Sequence, residues 1–445
     1  MKGLALSTLS TVVYSLILLV GPTASTQSIA QPINSDRRQE FLSDPLADDI
    51  PDPLLPPIDI DRAYSPLEIK TLESQLNQLD RLAQQQLAIG NADQAFDLWL
   101  RQARLSRVLG PLQEFETIRR VATLAWNQQR AVEVQILTLR TREIWETVQA
   151  ALNNFEEDGD DNSPGKTPVS ELADNPEQIL VSGNDDSDVA VLSVIAQTFA
   201  TLRDIGSSVA VYQQLIDITT TQNGDATAQR TELAELHLAW FQFADAADVY
   251  LALLSEARSK GNPVQETDYL ERLVYSYQQA KSITNAVRAQ TDLIELYQGQ
   301  GQTEKLPGLL VAIAQNYRTL NQHQNAIEYY RSAYSTAQRF EQFSFSAQVL
   351  QDLGALYQSL ALNDEALGAY NLLVPVEEQA YNTYGVMNAY DNIGQLQRRQ
   401  GNNFEALKAF EKALVLADQL NLRQTYFIEQ IESVTQLPAN SQSAF

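Results

Sequence analysis

Catalysis needs a nucleophile with a base, a set of metal ligands or a phosphate-cradling loop, and this chain is poor in all three. It has no Cys and two His, His237 and His323. Disulfides, thiolate nucleophiles, thiolate zinc sites, iron–sulfur clusters and lipoprotein anchoring therefore drop out. His237 stands where neighbouring segments carry Tyr, which predicts an interior packing residue, and His323, in Asn321-Gln-His-Gln-Asn325, reads as a solvated turn residue. No Gly-rich phosphate loop is present. Two acidic clusters, Glu156-Glu157-Asp158-Gly-Asp160-Asp161 and Asp185-Asp186-Ser-Asp188, have the composition of calcium loops but lack the sharp-turn Gly and the closing Glu of an EF-hand. They support weak cation association at most and fit a solvated linker better. The expectation is no enzyme, no catalytic or metal-ligating residue and no cofactor.

Charge is the more informative chemistry. Against 31 Lys and Arg stand 56 Asp and Glu, a formal net charge of −25, which repels nucleic acid and anionic membrane surfaces. Within that acidic chain Arg101, Arg104 and Arg107 fall three apart along one helical face, followed by Arg119-Arg120 and Arg140 with Arg142. Residues 155–188 hold eleven acidic residues, one Lys and three Pro without apolar periodicity, the signature of a disordered acidic linker. Two readings of the Arg row follow: an ordinary salt-bridged surface, or an intramolecular contact with that linker.

The elements that carry these residues can be read in order. Met1-Lys2 precedes an uncharged run from Gly3 to Val20, broken by Gly21-Pro22 and small residues, so residues 1–30 read as a secretory signal peptide; an uncleaved anchor is the alternative. Residues 31–64 are rich in Pro and Asp, as in Phe41-Leu-Ser-Asp-Pro-Leu and Asp52-Pro-Leu-Leu-Pro-Pro57, which predicts an extended, non-helical segment. It is either a spacer or, given Leu46, Leu54, Leu55 and Ile58, a docking strap. From Ser65 on the apolar residues recur at three and four, the helical period.

That pattern repeats. Ala246, Ala286, Ala326, Ala366 and Ala406 are spaced by 40, each followed four residues later by Tyr250, Gln290, Tyr330, Tyr370 or Phe410. The preceding helices carry Leu233-Ala234, Leu273-Val274, Ile313-Ala314, Leu353-Gly354 and Ile393-Gly394, with Tyr277, Tyr317 and Tyr357 one turn on. An earlier copy holds Ile195-Ala196, Phe199, Ser208 and Tyr212, and fainter ones lie at Leu82-Ala83 with Ala95 and Trp99, and at Val121-Ala122 with Val134. A small residue lets two helix backbones approach while the aromatic fills the space beside it, so each copy is a helical hairpin. The expected organisation is 65–154 as N-terminal hairpins, 155–188 as linker, 189–437 as the main array of six hairpins and 438–445 as a frayed tail.

The repeat resembles the tetratricopeptide repeat family, best in Leu353-Gly354…Tyr357…Ala366…Tyr370 and Ile393-Gly394…Ala406…Phe410…Ala413. It departs from the family in its period of 40 instead of 34 and in lacking the Pro that usually ends the second helix. The resemblance implies an all-α, right-handed solenoid of antiparallel hairpins that binds protein or peptide segments on the concave face formed by each first helix. In this sequence that face carries Arg272, Tyr275, Gln315, Arg318, Gln351, Asn388, Asn392, Gln395, Arg398 and Arg399, with Gln197, Glu235 and Gln358 in the same register. Amides and scattered Arg suit hydrogen bonding to a peptide; the Lys set that grips C-terminal carboxylates in some relatives is missing.

Function follows as an expectation: an exported, non-enzymatic scaffold or assembly factor, or alternatively a regulatory sensor for a small peptide or solute. The composition also resembles that of Gln-rich, Cys-poor exported repeat proteins of cyanobacteria, which implies periplasm or thylakoid lumen. Nucleic acid is not an expected partner, and no membrane insertion is expected once the signal is cleaved.

Overall fold

A computed structural model describes residues 35–48, 50–56, 64–157 and 185–435, with backbone alone at 151–157 and 185–188. Residues 1–30, most of the acidic segment and the tail lie outside them. The chain divides into two compact units, Met1–Val211 and Tyr212–Phe445.

In the first unit α1 (Ser35–Leu42) precedes the hairpins α2 (Pro66–Ala88) with α3 (Ala92–Ser106) and α4 (Pro111–Asn127) with α5 (Ala131–Glu157); α6 (Asp185–Thr201) and the start of α7 (Ile205–Thr221) complete it. Helix starts are written locally. Ser65 accepts from the Glu68 amide while Glu68 reaches back to the Ser65 amide at 2.7 Å, with Pro66 opening the first turn. The core gathers Trp99, Phe96, Ala103, Ile118, Ala122 and Ile136. Trp99 Nε1 donates to Asp80 at 2.8 Å, so the largest buried ring leaves no orphan donor.

The sequence places the break between the two regions at the acidic linker, whereas the compact units meet inside α7. Side chains around α6 explain this. Arg119 donates to Gln197 at 3.0 Å, Arg142 holds Asp204 at 2.6 Å, Arg203 lies 4.3 Å over the Trp126 ring, and Leu202 enters the core of the N-terminal hairpins. The first copy of the main array thus packs with the hairpins upstream of it.

The segment 31–64 departs from its expected extended form. Residues 35–42 are helical, and Phe41 is buried in the core. Beyond it, Asp44-Pro-Leu-Ala47 and Asp52-Pro-Leu-Leu55 fold into two turns of one kind. The Ala47 amide donates to the Asp44 carbonyl at 3.2 Å and the Leu55 amide to that of Asp52 at 2.9 Å. Each Asp carboxylate accepts the amide two residues on, both at 2.9 Å. Asp at the first and Pro at the second position are the residues such turns prefer. Pro excludes helix there, but with Asp before it the outcome is a tight turn instead of polyproline extension.

In the second unit the end of α7 is followed by the hairpins α8 (Thr227–Ala239) with α9 (Phe243–Ser259), α10 (Pro263–Gln279) with α11 (Ile283–Gly299), α12 (Leu306–Thr319) with α13 (His323–Arg339), α14 (Phe343–Ser359) with α15 (Asn363–Gln379), and α16 (Thr383–Arg399) with α17 (Asn403–Leu420), then the single helix α18 (Gln424–Thr435). The alternation of small and aromatic residues does what its spacing predicts. A Cβ on Gly354 would come 2.7 Å from the Tyr370 ring, and one on Gly394 would come 2.6 Å from that of Phe410. Ala246, Ala326, Ala366 and Ala406 are fully buried along the same seams. Among the described residues no strand occurs, and no helix is long and apolar enough to cross a membrane.

The 40-residue period is two steps of 20. Phe241, Gly261, Lys281, Gly301, Asn321, Glu341, Ala361, Tyr381, Gly401 and Asn421 all have left-handed backbones, with φ from +53° to +81°. Each ends a helix with the same pair of bonds, for example Gly401 N to Arg398 O at 3.0 Å and Asn402 N to Gln397 O at 2.9 Å. With most helices at 17 residues, the turn between hairpins is as short as the turn within one, so no helix-ending Pro is needed. Non-glycine residues strain such a position. Ala361→Gly and Glu341→Gly should each raise stability by about 0.5–1 kcal/mol, read as a melting temperature about 1–3 °C higher. Unchanged or lower melting would show that the turns carry no such strain.

Candidate functional site

The first helices of the second unit, α8, α10, α12, α14 and α16, carry the residues expected to face a partner. Many of them are engaged with one another. Arg272 of α10 reaches Glu235 of α8 at 3.4 Å, and Glu235 also accepts the Tyr250 hydroxyl at 2.7 Å. Two repeats on, Asp352 accepts from Gln315 at 3.2 Å and from the Tyr330 hydroxyl at 3.5 Å. In α16 Asp391 accepts from Gln395 at 3.0 Å, the Tyr426 hydroxyl at 2.9 Å and Arg423 at 2.6 Å. Burial first, and then the nearby carboxylate, pushes the Tyr330 hydroxyl up to about 12 and Tyr250 further. These phenols are donors that stay protonated, tying neighbouring helices together.

The C-terminal end is the most thoroughly tied. Asn388 accepts from Arg423 at 2.9 Å, Gln395 also donates to the Tyr426 hydroxyl at 3.1 Å, and Arg398 donates to Gln430 at 2.9 Å and Ser433 at 3.1 Å. All these partners lie on or just before α18, which packs beside α16. Arg399 is exposed, Asn392 half-buried. Asp391 pairs with Arg423, and the partners of Arg398 are an uncharged amide and a hydroxyl. Arg318 and Gln351 are exposed, and Gln358 is half-buried.

At the N-terminal end of this face the expected Tyr275 has aromatic neighbours that the sequence reading passed over. Tyr275 is 47% exposed, and its ring meets that of Phe243 edge-on at 6.2 Å; Phe243 in turn meets Phe241 at 6.0 Å. Phe241 is 72% exposed at a left-handed position, beside the partly exposed Trp240. The signal was present as Trp240-Phe241-Gln-Phe243, falling in a turn register that elsewhere holds Lys281, Asn321, Ala361 and Gly401. Exposed aromatic faces next to an Arg–Glu pair can take up proline, aliphatic or cationic groups of a peptide.

The remaining candidates resolve simply. His237 is buried, with Nδ1 2.8 Å from Gln242 Oε1, a packing residue. His323 opens α13 half-buried instead of lying in a solvated turn. No group of three or more His, Asp or Glu converges for a metal among the described residues.

The Arg row meets a different partner from the linker proposed for it. Arg101 forks Asp52 at 2.6 and 2.7 Å, and Arg104 grips both oxygens of Asp48 at 2.6 and 2.7 Å. Arg107 donates to the carbonyl of Phe41 at 2.6 Å and pairs with Glu114 at 2.9 Å. The acidic segment on the row is the upstream strap, so the docking alternative holds for the described part of residues 31–64. Burial works to raise the Asp52 carboxyl, but the Arg101 bonds and the Leu54 amide outweigh it and hold it below the usual range.

Residues 307–339, the α12/α13 hairpin, match the tetratricopeptide repeat family. Similar solved structures include BtubC (BKLC) from P. vanneervenii, 19% identical over 59% of this chain and 98% of that one, TM-score 0.34. Others are a STAND protein with a tetratricopeptide repeat sensor from Pyrococcus horikoshii, 12% identical over 83% and 55%, TM-score 0.36, and aspartyl phosphate phosphatase F from Bacillus subtilis, 14% identical over 87% and 88%, TM-score 0.31. Likenesses this distant add nothing about function. No curated protein matches the chain. A tetratricopeptide repeat is thus matched in the middle of the second unit, and hairpins of the same make, two helices and two left-handed turns each, flank it at the same 40-residue period on both sides.

Proposed function

We propose that this protein is an exported, non-enzymatic scaffold or assembly factor that binds a peptide segment of a partner protein on the first-helix face of its second unit. Repeats of this family are in general interaction modules without catalytic groups. The observation that carries the reading is the exposed Phe241–Phe243–Tyr275 aromatic run beside the Arg272–Glu235 pair. Such aromatics are costly to leave in water and are typical anchors of interfaces. Gln315, Arg318 and Gln351 extend the face with hydrogen-bonding groups, whereas Asn388, Gln395 and Arg398 serve α18 first and Asn392 and Arg399 flank them. Export rests on the charge-free run Gly3–Val20 after Lys2; periplasm or thylakoid lumen would be its destination.

The test is capture from native extract by the tagged full chain, compared with Phe241→Ser/Tyr275→Ser. The wild type should retain a stoichiometric protein, and the variant should lose at least about tenfold in affinity, the effect of one or two anchor residues, with its melting curve unchanged. Equal capture by both would remove the aromatic run from the interface. A solute-dependent thermal shift without any captured protein would favour the sensor reading instead.

A further inference from the structure

The strap on α3 is held unlike a piece of core. Residues 41–48 and 50–55 run antiparallel to α3, and their contacts with it are chiefly polar. Arg107 takes the carbonyls of Phe41 and Ser43, at 2.6 and 3.1 Å. Arg104 takes the Ser43 hydroxyl at 2.9 Å and the Asp48 carboxylate, and Arg101 takes Asp52. Two apolar anchors flank this ladder. Phe41 is buried under the Arg107 guanidinium at 5.0 Å, and Leu55 packs with Leu72, Leu76, Leu79 and Leu105. Between the anchors Leu46 and Ile50 point to solvent, 47% and 85% exposed. A solvent-open cleft of about 590 Å³ lies beside the strap, lined by Arg37, Phe41, Asp97, Asp52, Arg101 and Arg104.

The bound segment is also self-organised. Each Asp-Pro-Leu turn closes its own backbone bond and accepts its own amide, so little ordering is left to be done on binding. Asp52 meets the Arg101 guanidinium fork-to-fork, and Asp48 takes Arg104 Nη2 between its two oxygens, which gives the geometry specificity. These are the features of a ligand seated on a site.

We propose that the α3 face of the N-terminal unit is a binding site for acidic peptides built of Asp-Pro-Leu turns, filled in this chain by its own strap and able to take the same segment in trans. It is distinct from the first-helix face of the second unit and does not depend on the function proposed for that face. Tethering gives the strap an effective concentration in the millimolar range, so the free site is hidden in the wild-type chain until the strap is weakened.

A labelled synthetic peptide of residues 36–56 is the probe, followed by fluorescence anisotropy with the full-length chain. Wild type should bind it poorly. Asp48→Ala/Asp52→Ala, which weakens the tethered strap and leaves the Arg row intact, should bind at least tenfold more tightly, with affinity falling as salt rises. Adding Arg104→Ala to that variant should abolish the gain, as should the same two substitutions in the peptide. A folded Asp48→Ala/Asp52→Ala chain that takes up no more peptide than wild type would overturn the proposal. Should that variant not fold, hydrogen exchange on the wild type decides. The Ala47 and Leu55 amides must open at least a hundredfold faster than those in the middle of α3; exchange at the same rate would show the strap to be an inseparable part of the unit and would equally overturn it.

Discussion

Gly394→Ala should destabilise the second unit by about 1–3 kcal/mol and Phe410→Ala by about 3–5 kcal/mol, but the two together should cost clearly less than their sum. The added methyl would stand 2.6 Å from the Phe410 ring, closer than any relaxed contact, and the ring is fully buried with no room to retreat. Removing the ring alone leaves a cavity between α16 and α17. Once it is gone, the methyl added at position 394 has space and partly fills it, hence the favourable coupling. Chemical denaturation of the four chains measures the cycle. Strict additivity would mean that the two residues do not share a seam. The same reasoning gives Ala326→Leu and Ala366→Leu a cost of about 1–3 kcal/mol each by overpacking.

Glu114→Ala should cost about 3–5 kcal/mol in the first unit. Its carboxylate is 3% exposed and held between Arg107 at 2.9 Å and Arg140 at 2.8 Å. Burial already pushes the Arg107 guanidinium down to about 10, with Glu114 the main group opposing that. Removing the carboxylate leaves two guanidinium groups facing each other out of water, and truncation of a buried pair is penalised mainly for the charge left behind. By contrast Glu266→Ala, which breaks the half-exposed Arg258–Glu266 pair at 2.7 Å, should cost no more than about 1 kcal/mol. Equal losses at the two sites would show that burial does not set the strength of these pairs.

Which of these features could be read from the sequence depended on how local their cause is. The hairpins were legible because a small residue and an aromatic must recur at fixed intervals to make a seam, and Gly354 with Tyr370 is such a pair in space as in sequence. Half of the turns were legible too, in Gly261, Gly301, Asn321, Gly401 and Asn421; Phe241, Lys281, Glu341, Ala361 and Tyr381 adopt the same left-handed backbone because the packed helices impose it. For the Arg row the sequence left an ordinary salt-bridged surface and a contact with the acidic linker both open, because spacing does not say which acidic segment returns to it. Asp48 and Asp52 lie about 50 residues upstream, and only the fold brings them over α3. On the first-helix face the residues were placed by register, yet register does not reveal that α18 occupies Asn388, Gln395 and Arg398 while Tyr275 stays open.

The uniformity of the turns has a consequence for how such a chain changes length. Gly261, Gly301, Glu341, Tyr381 and Asn421 are equivalent joints, each closing a second helix with the same two backbone bonds. Splicing the chain from Gly301 directly to Gln342 would excise α12 and α13 as a cassette and present α14 to α11 through an unchanged joint; duplication would work in reverse. A cut at an odd multiple of 20 would instead exchange the two helix roles, and any other spacing would break the register and turn buried stripes outward. Growth and shrinkage of the array are therefore quantised in whole hairpins, and the number of hairpins is a variable that recombination can set while keeping every backbone joint.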